Sequence, residues 1–391
     1  MAKQKKIDPM IIVGIALAVC LVFTISMFVL GMFLQPEDRS NELLRLQQEA
    51  EARNQAKLDQ YQQEVEEYNA QVNSTQANAA WPSAAPEGWD VIDLTNYPLE
   101  VPGKVTVQRA DLMFGGMLLV NEWHSRPEDF DESGIVALYS YAKDAGVESF
   151  WQNSNCKLHP VAIDALIELI KDAAPLGYTH YVVSDDLDYR SYADQDARFQ
   201  KEVTKYRERY PSYTEEQLYA RAKQNVNYPG TSEFNTGLTF GLYLYEKKDA
   251  VQKEYYKNTL FYDTEDGKWL LENSWKYGLV FRFPIADFPT ADTVDKTYKT
   301  GVSIDLNCYR YVGKGNAAAM NHLGLCLEEY IEFLQEHPHI AVFENGVKKY
   351  EITRQQVGDD TATITVDINR MTNNYTMSLD NMGGVITVYE Y

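Results

Sequence analysis

One apolar run near the N-terminus limits what this chain can be more than any other feature. Residues 10–34, MIIVGIALAVCLVFTISMFVLGMFL, contain no charged side chain. About 20 such residues are enough for a helix to cross the hydrocarbon core of a bilayer. Lys3, Lys5 and Lys6 precede the run, and the positive-inside bias places residues 1–9 in the cytoplasm. We expect a single-pass cell-membrane protein whose C-terminal domain is extracellular.

Two kinds of cleaved leader compete with this transmembrane helix. A signal peptide would have an apolar core of about 7 to 15 residues followed by a small-residue cleavage site, and neither is present. The sequence LAVC at 17–20 resembles a lipoprotein cleavage box. However, Val19 is bulky where a small residue is needed, and the apolar run continues past Cys20. The sequence favours an uncleaved anchor.

Composition limits the possible partners. The chain is 45% hydrophobic and 13% aromatic, enough to build a core, and 36 basic against 57 acidic residues give a net charge of −21. Phosphate contacts need clustered cations, so we expect no nucleic-acid partner. Cys156, Cys308 and Cys326 would leave an odd number outside the membrane, and Cys20 lies within the span. This spacing fits neither a disulfide framework nor a CxxC metal site, and it leaves pairing of Cys308 with Cys326 open.

The segment after the span, 35–72, is predicted to be a helical stalk. Between 41 and 72 it is rich in Glu, Gln, Ala and Leu and lacks Gly and Pro. Its apolar side chains recur at spacings of three and four over only about two heptads, which permits either a homodimeric coiled coil or a single helix packed on its own domain or on a partner. The seam consists of Leu58, Tyr61, Val65, Tyr68 and Val72.

The remainder shows α+β patterning. Residues 73–108 are interpreted as a linker, 109–337 as a core domain and 338–391 as a small β appendage, because short alternating segments there are separated by NG, NN and GG turns. In the core we expect an amphipathic helix at 161–174 and charged helices at 193–209 and 215–224. We expect strands in LMFGGMLLVN (112–121), GYTHYVVS (177–184), LTFGLYLY (238–245), YGLVFRFP (277–284) and CYRYVG (308–313).

Catalytic motifs are scarce. The chain has no GxSxG, P-loop, GxGxxG or HExxH pattern. Of its six histidines only His337 and His339 are close in sequence, and they flank a proline where solvent-facing side chains are commoner than ligands. Taken alone, these residues indicate an anchored extracytoplasmic α+β protein with no assigned chemistry.

Five segments, taken in order, resemble a known family. Their order and spacing are similar to those of the zinc D-alanyl-D-alanine carboxypeptidases of the VanY type (peptidase family M15), which implies a hedgehog/DD-peptidase-like core. The C-terminal YTMSLDNMGGVITV resembles an extension found in some members. The segments are DYRSYADQ (188–195), YPGTSEFNTGLTFGL (228–242), GKWLLENSWKYGLVFRFP (267–284), TGVSIDLNCYRYVG (300–313) and LGLCLEEY (323–330).

The resemblance also shows what has changed. In the family, the first metal motif is Ser-x-His-x-x-Gly-x-x-x-Asp, whose His and Asp are zinc ligands. The second motif is Glu-Pro-Trp-His, in which His is the third ligand and Glu is the general base. Here the ligand positions hold Phe234, Gly241 and Cys308, and the general-base position holds Asp305. A hydrolytic zinc needs three protein donors and an open water position. We therefore expect no catalytic residue and no retained zinc cofactor.

The substrate side of the family site looks less altered. Arg190 and Gln195 match the segment that holds the substrate carboxylate, and Ser232 could add a hydroxyl. A guanidinium fork suits a carboxylate. Alternatively, Arg190 closes an internal salt bridge with Asp185 or Asp188.

Together these features predict a pseudoenzyme at the surface of a Gram-positive-type bacterium. It would bind a peptidoglycan stem peptide or a cell-wall protein partner. Two other interpretations stay open at this point. One is an active metallo-carboxypeptidase that trims D-Ala with non-standard ligands; the other is an interaction protein that works through its stalk and acidic surface.

Overall fold

The computed structural model describes residues 87–245, 259–302, 305–358 and 361–391, together with Arg45 and Ala52. The membrane span predicted at 10–34, the rest of the stalk at 35–72 and the first part of the linker lie outside these residues. Among the helices of the described ranges, none is both long and apolar enough for a bilayer crossing.

The described ranges combine helices with antiparallel strands, which confirms the α+β class. The strands are β1 (Trp89–Asp93), β2 (Pro102–Gln108), β3 (Val136–Ala137), β4 (Lys157–Leu158), β5 (Tyr181–Val183), β6 (Thr239–Leu244), β7 (Leu279–Phe281), β8 (Cys308–Tyr311), β9 (His339–Glu344), β10 (Val347–Gln356), β11 (Thr363–Asn369), β12 (Tyr375–Leu379) and β13 (Gly384–Glu390). The α-helices are α1 (Leu138–Ala142), α2 (Pro160–Ala173), α3 (Tyr192–Arg209), α4 (Glu215–Ala222), α5 (Glu265–Asn273), α6 (Thr297–Thr300), α7 (Lys314–Leu323) and α8 (Leu327–Glu336).

A four-stranded sheet in the order β5-β6-β8-β7 forms the centre of the core domain. Helix α2 packs against it because its apolar positions recur at intervals of three and four, which places them on one face. His159 caps the helix N-terminus and Pro160 takes the first helical position, where its missing N–H costs nothing. The predicted helix at 161–174 is therefore confirmed within one residue at each end.

A five-stranded sheet in the order β1-β9-β10-β13-β12 forms the C-terminal part. Helices α7 and α8 contribute to the apolar cluster on one of its sides. Strand β1 pairs along its whole length with β9, and β2 pairs with β11. The interpretation of 73–108 as linker is thus wrong for these two strands, and the β appendage predicted at 338–391 includes N-terminal strands.

The strand predicted at 112–121 does not form. Residues 117–120 are fully buried but lie outside any strand. The nearest pairing is a single bridge between Asn121 and His124. Their backbone is held individually: Met117 N–H donates to Ser378 Oγ at 2.9 Å, and Leu119 N–H donates to the Asp380 carbonyl at 3.2 Å. The apolar run at 117–120 thus predicts correctly that these residues are buried, but the strand conformation predicted for them is wrong.

Candidate functional site

A loop between β5 and α3 carries Arg190, and it is fixed by the backbone of the segments around it. Arg190 N–H donates to the Phe234 carbonyl at 3.0 Å, and the Asn235 side chain donates back to the Arg190 carbonyl at 2.7 Å. Asp188 accepts the Lys157 backbone N–H at 2.8 Å. The loop is therefore tied to the turn that contains the first metal-ligand position.

The Arg190 guanidinium lies above the Phe234 ring, with 4.5 Å between its central carbon and the ring centroid. It donates to the Asp186 carbonyl and, at 3.4 Å, to Gln195 Oε1. Its Nε–H has no hydrogen-bond partner in the described part of the chain. Burial, and then the neighbouring Arg198 charge, lower the pKa of Arg190 to about 10, so it stays cationic at neutral pH.

The salt bridge considered for Arg190 is not formed within the described ranges. Asp185 accepts from the Asn153 side chain, and Asp188 is used by the Lys157 backbone. Arg190 instead opens onto a cleft of about 740 Å³ that also presents Arg198 and Lys157. The remaining lining residues are Glu132, Ile135, Asn155, Asp185, Asp188, Tyr189, Ser191, Asp194 and Ala197.

Gln195 and Ser232 lie away from the lining of this cleft. Gln195 is fully buried. Its side-chain Oε1 accepts a hydrogen bond from Arg190, and its side-chain Nε2 donates to the Asn227 carbonyl at 2.7 Å. Gln195 therefore holds the Arg190 guanidinium from the side that faces away from the cleft. Ser232 is 3% exposed and precedes the 3-10 turn Glu233–Thr236.

The three metal-ligand positions of the resembled family do come together. Gly241 on β6 and Cys308 on β8 are direct partners across the sheet. Phe234 and Cys308 belong to one buried apolar cluster. We call this cluster the apolar plug; it consists of Leu187, Phe234, Phe283, Val302 and Cys308.

The plug occupies the space where the second ligand would project. A Cβ atom at Gly241 would lie 2.4 Å from Leu187 Cδ1 and 2.6 Å from Leu187 Cβ. Real Cβ atoms do not approach so closely. Leu187 cannot easily move away, because its backbone carbonyl accepts a hydrogen bond of 2.7 Å from Gly241 N–H. An aspartate therefore does not fit at position 241 in this structure.

The remaining donors do not make a zinc site either. Burial raises the pKa of the Cys308 thiol well above its usual value, and the thiol is directed at the Leu306 carbonyl 3.6 Å away. Zinc binds the thiolate, so this buried thiol would have to lose its proton before it could serve as a ligand. Burial also raises the pKa of Asp305, although the charges of Arg190 and Arg198 oppose this. In the described ranges no three His, Cys, Asp or Glu side chains are grouped to hold a metal.

Beside the plug lie four charged side chains, which we call the ionic tetrad: Glu233, Arg282, Arg310 and Glu328. Each is at most 5% exposed. Arg282 binds both oxygens of Glu328, at 2.6 and 3.0 Å, and its Nε lies 2.8 Å from Glu233 Oε1. Arg310 lies 3.6 Å from the same Glu233 oxygen and donates to the carbonyls of Gly116 and Leu118. The two arginines and the two glutamates of the tetrad therefore carry no net charge together.

The ionic tetrad is not among the sequence predictions. A signal is available in the strands themselves. Arg282 interrupts LVFRF and Arg310 interrupts CYRYV, and a charge inside an apolar strand must be paired when it is buried. Nothing local, however, identifies Glu328, which is 46 residues from Arg282.

The cleft carboxylate Asp188 gives a pH-dependent prediction. It is 7% exposed, and burial raises its pKa from 3.8 to about 7. Between these pH values the folded chain holds a proton that the unfolded chain has released, so stability falls as pH rises and levels off above 7. Asp188→Asn removes this titration and keeps an acceptor for Lys157. From pH 5 to pH 8 we expect its free energy of unfolding to gain ~2 kcal/mol relative to the parent chain.

Urea unfolding of both chains at the two pH values measures this difference. Asp185→Asn is the matched control, because Asp185 lines the same cleft but is exposed. A difference between Asp188→Asn and the parent that is independent of pH would contradict the assignment.

Comparison with known proteins agrees with this architecture. The family model for VanY, D-alanyl-D-alanine carboxypeptidase, matches residues 155–314. A D-alanyl-D-alanine carboxypeptidase of Enterococcus faecium is 28% identical over 284 residues, which cover 72% of this chain and 77% of that protein. The Bacillus subtilis protein YodJ, named as a carboxypeptidase, is 30% identical over 235 residues, which cover 60% of this chain and 72% of YodJ.

Among solved structures, the D,D-dipeptidase VanXYg in complex with a D-Ala-D-Ala phosphinate analogue aligns over 74% of this chain and 100% of its own. The TM-score is 0.52 and the identity 22%, so this likeness supports the fold. The match to the family model and the two relatives confirm the resemblance found in the sequence. The chain belongs to the VanY-type D-alanyl-D-alanine carboxypeptidase family.

Proposed function

We propose that this chain is a catalytically inactive VanY-type protein that binds a peptidoglycan stem peptide, or a cell-wall partner ending in a similar carboxylate, without cleaving it. The observation that carries the proposal is the pairing of Phe234 with Arg190. The residue at the first ligand position supports the guanidinium from below at 4.5 Å, while Arg190 lines the cleft.

The site residues support binding. Arg190 is cationic, opens onto the cleft and is held from behind by Gln195. A guanidinium that faces a cleft suits a carboxylate, which gains charge-assisted hydrogen bonds. Arg198 and Lys157 add positive charge to the same cleft. Ser232 is buried, so its hydroxyl would serve only if the turn at 233–236 opened.

The same residues argue against hydrolysis. The family chemistry depends on a metal that activates water and polarises the scissile carbonyl. At the three ligand positions this chain has Phe234, which donates nothing, Gly241, whose side-chain space is filled by Leu187, and Cys308, held as a neutral thiol. We therefore assign no step to zinc and no general-base role to Asp305.

The sequence supports a location for this binding. We propose that residues 10–34 anchor the chain in the cell membrane with its C-terminal domain outside, where stem peptides occur. Residues 35–72 would hold the domain away from the bilayer and could pair two chains. The apolar run and the lysines before it support this arrangement.

Replacing Arg190 tests the proposal. With Arg190→Ala we expect binding of a peptide ending in D-Ala-D-Ala to weaken at least about tenfold, because a charged hydrogen bond contributes about 1.5 to 3 kcal/mol. Arg190→Lys keeps the charge but loses the planar fork, so we expect an intermediate affinity. Calorimetric titration of the full-length chain measures both.

Arg207→Ala is the matched control, since Arg207 is exposed near the C-terminal end of α3, the helix that follows Arg190, and pairs with Glu215. It should bind the peptide like the parent chain. Unchanged affinity in Arg190→Ala, with thermal unfolding showing that the variant is folded, would exclude the cleft as the peptide site.

A further inference from the structure

A second concavity lies at the seam between the core domain and the C-terminal sheet. Its volume is about 290 Å³. Helix α2 and the end of β8 form one wall, whereas β10, β12 and β13 form the other. The family model ends at residue 314, so the second wall comes from outside the matched region. We call this concavity the seam groove.

Aromatic rings and carboxylates dominate the seam groove. Tyr277, Tyr311, Tyr350 and Tyr375 line it together with Asp164, Glu168 and Glu390. Lys314 is the basic side chain in the lining, and Glu168 binds it at 2.7 Å. The charges therefore leave a net negative groove walled by tyrosine rings.

The groove also has unused hydrogen-bonding capacity. The hydroxyls of Tyr311 and Tyr350 have no partner within the described ranges, whereas Tyr277 donates to Asp172 at 2.9 Å. Asp164 has one oxygen engaged by Tyr141, and Glu390 has one engaged by Asn374. The second oxygen of each carboxylate is left for a ligand.

Electrostatic effects show that these carboxylates act on the rings. Burial raises the pKa of Tyr350 to about 12, and Glu390, Glu344 and Glu168 contribute to the rise in that order. Burial also raises the pKa of Tyr311, with Asp164 and Glu168 adding to it. Charges from both walls, Glu168 and Glu390, therefore act on the Tyr350 phenol.

The close approach of the two walls depends on Gly315. A Cβ there would lie 2.5 Å from Val388 Cγ1 and 3.0 Å from the Tyr350 ring. The absence of a side chain lets the first turn of α7 approach β10 and β13, and Tyr350 forms part of the groove lining. The groove is therefore built into the packing between the two parts.

From this combination we propose that the seam groove binds a primary ammonium group on an unbranched aliphatic stem. Aromatic faces attract cations through the ring quadrupole, and the uncompensated carboxylates favour the same charge. The stem would contact the tyrosine rings, and the ammonium would have the free oxygens of Asp164 and Glu390 and the free hydroxyls as acceptors. A neutral ligand would gain nothing from the charge.

The probes Nα-acetyl-L-lysine amide and Nα-acetyl-L-norleucine amide test this in the full-length chain, because they differ essentially by the ammonium group. Titration by saturation-transfer NMR should show the lysine probe binding at least about fivefold more tightly, because the carboxylates add to an exposed cation–π contact that alone gives about two- to fivefold. The double substitution Asp164→Asn/Glu390→Gln should weaken lysine-probe binding about tenfold and leave the norleucine probe unchanged. Both carboxylates are exposed, so the variant should fold.

Glu148→Gln is the matched control, because Glu148 is exposed and lies outside the seam groove. Arg190→Ala should also bind the lysine probe normally, which separates this site from the peptide cleft. Equal affinity for the two probes would overturn the proposal, as would the same lysine-probe affinity in the double variant. Binding of N-acetylglucosamine, lost in the double variant and without any lysine-probe binding, would instead identify a sugar site.

Discussion

Arg282→Ala is expected to destabilise the folded chain by about 3 to 5 kcal/mol, the usual result of removing one partner from a buried ion pair. Arg282 is 1% exposed and neutralises both Glu233 and Glu328. Without it, Glu328 keeps the Asn121 side chain as a donor, and Glu233 keeps Thr239 and the more distant Arg310. Denaturant unfolding of the purified chain measures the loss.

The matched comparison is Arg207→Ala, which breaks an ion pair of similar length at the surface. Arg207 and Glu215 lie 2.8 Å apart, but their side chains are 48% and 65% exposed. We expect a loss of ~0 to 1 kcal/mol for this pair, because water replaces the lost partner. Similar losses in the two variants would show that the ionic tetrad does not hold the core together.

The second large effect concerns restoration of the family's metal ligands. The triple substitution Phe234→His/Gly241→Asp/Cys308→His supplies the family ligand types, yet we expect it to bind no stoichiometric zinc after dialysis. The aspartate side chain introduced at position 241 would collide with Leu187, and the loss of Phe234 would remove the ring beneath Arg190. Overpacking costs about 1 to 3 kcal/mol, and burying an unpaired carboxylate adds to it.

Adding Leu187→Ala to the triple variant tests the cause. This change removes the Cγ and Cδ atoms that meet the new side chain, although Leu187 Cβ remains 2.6 Å from the Cβ position at 241. We expect part of the lost stability to return in unfolding experiments. One zinc per chain in the triple variant, by elemental analysis and without added instability, would refute the claim that packing has replaced coordination.

Much of this site could be predicted because the resemblance fixes positions relative to one another. It places Gly241 and Cys308 at ligand positions, and the structure pairs them across β6 and β8. It also assigns Arg190 and Phe234 to the same family site, and the structure places the guanidinium 4.5 Å from the ring centroid. Collinear motifs transfer such juxtapositions because the sheet that carries them is the same.

Contacts made by changed residues could not be predicted in this way. Leu187 is unremarkable in sequence, and its contact with Gly241 depends on the path of a loop 54 positions away. Strands β1 and β2 escape prediction because their partners β9 and β11 lie more than 240 residues further along the chain. The apolar run at 117–120 predicts burial, but such a run does not distinguish a strand from buried irregular backbone.

The most direct test of the central claim is D-alanine release from a stem peptide ending in D-Ala-D-Ala, measured with the full-length chain with and without added zinc, beside an active family member. We expect the peptide to bind and no D-alanine to appear in either condition, because the apolar plug occupies the ligand positions. Zinc-dependent release that a chelator abolishes would contradict the account and identify an active enzyme with other ligands.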